Sequence, residues 1–203
     1  MLMNNGEPDF DATAERIYRE IGVPLTEPVA PFRIAQHLLG DGAVRLVPAT
    51  ALPGVGAIAR VRDRWLVFLR EDAPLQAKRF VLCHELAHKL LGVSATEADC
   101  DALAAALLVP RPAFLLSLRT HGERLRPLAH AFGTTESCVA LRLGETTKRS
   151  LALVTPRSVR TRGAGFASHA PEDLRALADR PQSPGIRRVR LGDDRARRML
   201  RIA

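Results

Sequence analysis

The stretch 80-FVLCHELAHKLLG-92 sets His84, Glu85 and His88 inside an otherwise apolar run. On a helix, positions i and i+4 lie on one face about 6 Å apart, so both imidazoles can address a single metal ion. Glu85 is rotated by about 100° from His84 and stands beside that ion without having to bind it. Phe80, Val81, Leu82, Leu86, Leu90 and Leu91 make the helix apolar nearly all round, which marks it as buried. A buried carboxylate flanked by two histidines needs a reason to be there. The composition would produce this pattern by chance only on the order of 0.01 times. Two neutral imidazoles and one oxygen ligand suit Zn2+, one ion per chain, with a fourth position left for water. Glu85 is the natural general base for that water, which is a metallopeptidase layout.

A third ligand must come from elsewhere, and 94-SATEADCDALAAALLVP-110 offers Glu97, Asp99 and Asp101. Glu97 and Asp101 share a helical face, whereas Asp99 points away. Glu97 is the chosen ligand. Against it, Ser94-x-x-Glu97 reads as a capping box in which the glutamate only satisfies the first turn. Thr96-x-x-Asp99 is a competing box. If Thr96 is the N-cap, Asp99 does the capping, Glu97 is free to bind metal, and Asp101 becomes the partner of an imidazole N–H or an alternative ligand. For the group that stabilises a developing oxyanion, His121 and His130 are the candidates, with Arg119 and Arg142 no better supported.

Outward from this stretch the period of the apolar residues changes. Residues 11–21 and 32–40 carry helical spacing, the first stopped by Gly22 and Pro24, the second by Gly40. The segments 55–62 and 64–69 are rich in β-branched and large apolar residues around Asp63 and read as a hairpin or small sheet. Helices follow at 75–92 and 97–109, the latter closed by Pro110 and Pro112, and again at 113–122 and 123–144. Within the last of these, Ala129, Gly133 and Val139 have the spacing of a helix-turn-helix. Beyond 150, strands are expected at 151–154, 187–191 and 198–202 and a short helix at 171–179. The fold class is α+β, with a small N-terminal sheet, a helical C-terminal half and a basic extension. The expected division is 1–112, 113–149 and 150–203.

The chain has 203 residues and a net charge of +8. Twelve arginines against five acids from Arg157 onward account for +7 of it, so the body is nearly neutral and the tail basic. Such a tail can attract an acidic protein or nucleic acid, or be a solvated surface. No apolar run approaches the roughly 20 residues of a membrane span, and the N-terminus has no basic and apolar signal pattern. A soluble, cytoplasmic protein with no membrane contact is expected. Cys83, Cys100 and Cys138 sit in helical apolar patterns and read as buried, reduced thiols.

Taken together, the helical start, the small sheet, RFVLCHELAHKLLG, the segment from Glu97 to Pro110 ending in L-L-V-P, and the helix-turn-helix-like stretch resemble the ImmA/IrrE family of zinc metallopeptidases. The resemblance covers residues 11–145. It implies a zincin-like fold, His84, His88 and Glu97 as zinc ligands and Glu85 as the base. Asp101 stands where members often carry Asn, and the interval from His88 to Glu97 is short for the family. The resemblance also implies a protein substrate: a helix-turn-helix repressor or regulator of a phage, mobile element or stress regulon. The alternatives are a DNA-binding regulator, or a toxin–antitoxin or immunity-type protein using the same metal site. Against DNA binding, the helix 135-TESCVALR-142 offers only Arg142 as a base.

Overall fold

Asp9 opens the first long helix by accepting the N–H of Ala12 at 2.9 Å, and Thr13, Ala14, Ile17 and Tyr18 then bury one face of it. The computed structural model describes residues 3–4, 7–92, 94–147, 150–154, 159–162, 166, 169–179, 186–190 and 198–202. In chain order these form β1 (Met3–Asn4), β2 (Glu7–Pro8), α1 (Phe10–Glu20), α2 (Pro31–Leu39), β3 (Val44–Val47), β4 (Gly56–Val61), β5 (Arg64–Arg70), α3 (Leu75–Leu91) and α4 (Glu97–Leu108). Then come α5 (Arg111–His121), α6 (Leu125–Phe132), α7 (Glu136–Thr147), β6 (Leu151–Val154), β7 (Val159–Arg162), α8 (Pro171–Asp179), β8 (Ile186–Arg190) and β9 (Arg198–Ile202). The architecture is α+β, as the sequence reading holds.

The hairpin expected around Asp63 is β4 paired antiparallel with β5, Val61 opposite Arg64. Its two-residue turn places Arg62 at φ 54, a conformation usually left to Gly or Asn. A third strand was not foreseen. Strand β3 runs parallel to β5, giving the order β3-β5-β4, and its four residues with Arg45 in the middle are too short a signal to read from periodicity. Strand β4 is therefore an outer strand. Leu69 and Val67 of β5, both 0% exposed, face the sheet's helical cover. Gly56 makes that cover possible, because a Cβ there would stand 2.4 Å from Val81 Cγ1 of α3.

Helix α4 lies at the centre of the molecule. Every residue from Cys100 to Leu108 is buried, and the alanines at 102, 104, 105 and 106 let α1, α3 and α7 close on it. Pro110 follows α4 as expected, but Pro112 sits in the first turn of α5, where its missing N–H is no loss. Helices α6 and α7 form the helix-turn-helix, with Gly133 left-handed at φ 56 and ψ 36. Phe114, Leu128, Phe132, Val139 and Leu143 from α5 to α7 share one hydrophobic cluster with Ile17, Leu82 and Leu107. Arg142 is 2% exposed and ties three helices together: its Nε donates to Val109 O at 2.8 Å, and its Nη2 pairs with Asp11.

The C-terminal segments form a four-stranded antiparallel sheet in the order β7-β6-β9-β8. Helix α8 covers it through Leu174 and Ala178, which cluster with Ala152, Val154 and Phe166. Strand β7 was not foreseen; the other three strands and α8 fall where the sequence placed them. Of the twelve tail arginines, Arg157, Arg180, Arg195 and Arg197 lie outside the described residues, and Arg175 is exposed on α8. Among the described residues no single helix is long and apolar enough to cross a membrane.

Candidate metal centre

Helix α3 runs under the sheet and presents His84 and His88 one turn apart, with Nε2 atoms 3.1 Å from each other. Helix α4 supplies the third group. Thr96 is its N-cap: Thr96 Oγ1 accepts the N–H of Asp99 at 3.1 Å, and Asp99 Oδ2 accepts the N–H of Thr96 at 3.0 Å. Asp99 thus completes the capping box, and Glu97 at the first helical position is left with a free carboxylate. That carboxylate reaches across to α3, with Oε2 3.2 Å from His84 Nε2 and Oε1 3.5 Å from His88 Nε2. The three side chains are the group able to hold a metal ion among the described residues.

The protonation pattern follows from a fourth residue. Asp101, one helical turn after Glu97 and 1% exposed, places Oδ1 2.9 Å from His84 Nδ1. The ring therefore carries its proton on Nδ1 and donates it to Asp101, leaving the Nε2 lone pair directed at His88 and Glu97. Burial disfavours the charged imidazolium, but the Asp101 hydrogen bond and charge, with Glu85 and Glu97 nearby, outweigh it and raise the His84 pKa. Facing lone pairs at 3.1 to 3.5 Å repel one another unless a cation stands between them. Two nitrogens and an oxygen at about 2.0–2.1 Å from one Zn2+ would be about 3.3 Å apart in a tetrahedron, so the donor set and its spacing fit this ion.

Glu85 lies on the open side of the pair. Burial raises its pKa, against the lowering effects of His84, His88 and a hydrogen bond from the Ile58 backbone N–H. That last contact fixes the orientation of β4. The Arg70 N–H donates to Val55 O at 2.9 Å, so Ala57, Ala59 and Val61 face β5, and the backbone groups of Gly56, Ile58 and Arg60 point outward from the sheet edge. Between this edge and α3 opens a cleft of about 520 Å3. Gly56, Ala57, Ile58 and Trp65 form its sheet side; Glu85, His88 and Lys89 line the helix side, which ends at Gly92.

Of the residues singled out in the sequence, His84, Glu85, His88, Glu97 and Asp101 are brought together. His121 ends α5 and His130 is exposed on α6, and neither lines the cleft. Arg119 is exposed, and Arg142 is committed to Val109 and Asp11. Tyr18 is fully buried, donating to Leu107 O at 2.9 Å and accepting from Val29 N–H. Cys83 is buried beside His84 in sequence only, its thiol pKa pushed up by burial. The residue that sequence reasoning missed is Cys100, whose Sγ lies 3.4 Å from His88 Nδ1. Its spacing of three from Glu97 put it on the same face of α4, and that was the available signal.

The profile of the IrrE N-terminal-like domain, Peptidase_M78, matches residues 42–144. No curated protein matches the chain. A solved structure described as a Mycobacterium tuberculosis transcriptional regulator superimposes with a TM-score of 0.62, covering 96% of this chain and 87% of that one at 16% identity. At that identity the likeness is one of fold.

Proposed function

Because this chain belongs to the IrrE N-terminal-like (Peptidase_M78) family, we propose that it is an intracellular zinc endopeptidase of narrow specificity, with His84, His88 and Glu97 as the metal ligands. The observation that carries the proposal is the convergence of the two Nε2 atoms and the Glu97 carboxylate within 3.5 Å, with Glu85 beside them on a cleft. Bound Zn2+ would supply Lewis acidity for a peptide carbonyl and for the attacking water. The chain's own groups do the rest. Glu85 takes the proton of that water and returns it to the leaving amine, a role for which a raised pKa suits a carboxylate near neutral pH. Asp101 holds His84 in the tautomer a ligand needs. A substrate in extended form can add to the outward backbone groups of Gly56 and Arg60 and to the Ile58 carbonyl, next to the Ile58 N–H that holds Glu85, which brings its own carbonyl alongside Glu85.

The substrate we propose is a partner protein that regulates transcription, a helix-turn-helix repressor of a phage, mobile element or stress regulon. Membership of the family supports this choice. A reading as a DNA-binding regulator has in its favour that the structural neighbour is described as a transcriptional regulator. Burial stands against it. Helix α7 is buried from Cys138 to Gly144, including Arg142, so the second helix of the helix-turn-helix has no free face to enter a groove.

Two measurements test the proposal. Elemental analysis should find one zinc per chain in wild type and none in His88→Ala or Glu97→Ala. Glu85→Gln should keep the zinc and lose cleavage of the partner; retained cleavage would remove Glu85 as the base. The basic tail we assign to partner docking. Deleting it after Thr155 would strip β6 of both neighbouring strands, so replacing the exposed Arg175 with Glu is the cleaner probe of that role.

A further inference from the structure

The α3-facing side of β5 reads Leu69, Val67, Trp65. The first two are 0% exposed under α3, whereas the third is only half-buried, because the helix stops at Gly92 beside it. Trp65 is the chain's single tryptophan. Its register partner is Arg60, and Ile58 pairs with Val67, so Ile58 and Trp65 are diagonal neighbours on one face of the sheet. Both line the cleft that holds Glu85 and His88. Among the described residues, the apolar stripe continues past the end of its helical cover, next to the candidate catalytic groups.

We propose that this end of the cleft is a specificity pocket for a bulky apolar side chain, aromatic or leucine-like, flanking the scissile bond, with Trp65 and Ile58 as the residues that select it. The inference rests on the protease reading of the same site. Charge in the cleft argues for an apolar occupant. Both charges at the cleft are already held, Glu85 by the Ile58 N–H and the Lys89 ammonium by Leu38 O at 3.2 Å, so neither is left to pair with a charged side chain. The rest of the lining is glycine, alanine, isoleucine and indole, the composition of a pocket that binds by burial. A peptide paired along the outward edge of β4 would direct alternate side chains to this face, and so could seat one against Trp65.

Trp65 is also the probe. In the full-length chain carrying Glu85→Gln, its emission is followed while blocked hexapeptides of Gly, Ser and Thr are titrated in, each with one central Phe, Leu, Ala, Glu or Arg. The Phe and Leu peptides should shift the emission to shorter wavelength and bind about tenfold tighter than the Ala peptide. Ile58→Thr should shrink that preference several-fold. Equal binding of all five, tighter binding of Glu or Arg, or no response of the indole would overturn the pocket. The test separates the two readings. Apolar selectivity at Trp65 together with a zinc-loaded wild type that never hydrolyses peptide would sink the protease and leave the pocket. Hydrolysis without such selectivity would do the reverse.

Discussion

The Oδ1 atom of Asp101 lies 2.9 Å from Nδ1 of His84, and the carboxylate that makes this contact is 1% exposed. A carboxylate that deep is held by α4 packing and cannot swing out to serve as a ligand, so the acids of α4 divide their work. Glu97, 73% exposed in its side chain, faces the imidazole Nε2 atoms; Asp99 caps the helix; Asp101 orients a ring from behind.

Asp101→Ala should weaken zinc binding about 10–100-fold, the usual effect of removing the acceptor behind a ligating imidazole. Competition with a chromophoric chelator measures it. Unchanged affinity would show that His84 is oriented by its packing alone.

The capping box decides whether Glu97 is free. Thr96→Ala should destabilise the protein by about 1 kcal/mol and lower Tm by about 2–4 °C, whereas Ser94→Ala should change Tm by less than about 1 °C. If Ser94→Ala were the damaging change, Glu97 would be the capping residue and the ligand assignment would fall.

The same residues show what could be read beforehand. The i,i+4 histidines and the acid cluster after them are local, and their helical spacing survives into the fold unchanged. The choice among Ser94, Thr96, Asp99 and Glu97 was open because two capping boxes overlap in one short stretch, and only the backbone at Thr96, φ −78 and ψ 157, resolves it. The cleft was invisible for another reason. It arises where α3 ends against β5, a relation between residues 65 and 92 that no window of sequence contains. Strand β3 was lost because parallel pairing with β5 depends on a long-range contact, not on its own four residues.

Cys100 Sγ sits 3.4 Å from His88 Nδ1, in the position behind the second ligand that Asp101 occupies behind the first. With His88 Nε2 directed at the metal site, its Nδ1–H donates to the thiol sulfur, a weak acceptor. Cys100→Ala should therefore reduce zinc affinity by about tenfold, and Cys100→Ser, which keeps an acceptor, by less. Equal losses in the two variants, measured by the same chelator competition, would assign the effect to packing around the sulfur.

The pKa shifts of His84 and Glu85 set how stability varies with pH in the metal-free protein. Both are raised above their ordinary values of 6.5 and 4.5. A group with a raised folded-state pKa favours folding while it is protonated in the folded state, so its contribution is full below the ordinary value and is lost as pH rises through the raised one. Glu85 should lose its share first, above 4.5, and His84 above 6.5. Chelator-treated protein should thus become less stable to urea as pH rises above 4.5, and further as it rises above 6.5. Zinc reverses the trend, because it needs the unprotonated Nε2 of His84 and competes with the proton there. The gap in unfolding midpoint between zinc-loaded and metal-free protein should widen across this window in wild type. Asp101→Ala, which removes both the hydrogen bond and the charge that raise the His84 pKa, should make metal-free stability less dependent on pH; a slope as steep as wild type would mean that the Asp101 contact does not govern the protonation of His84.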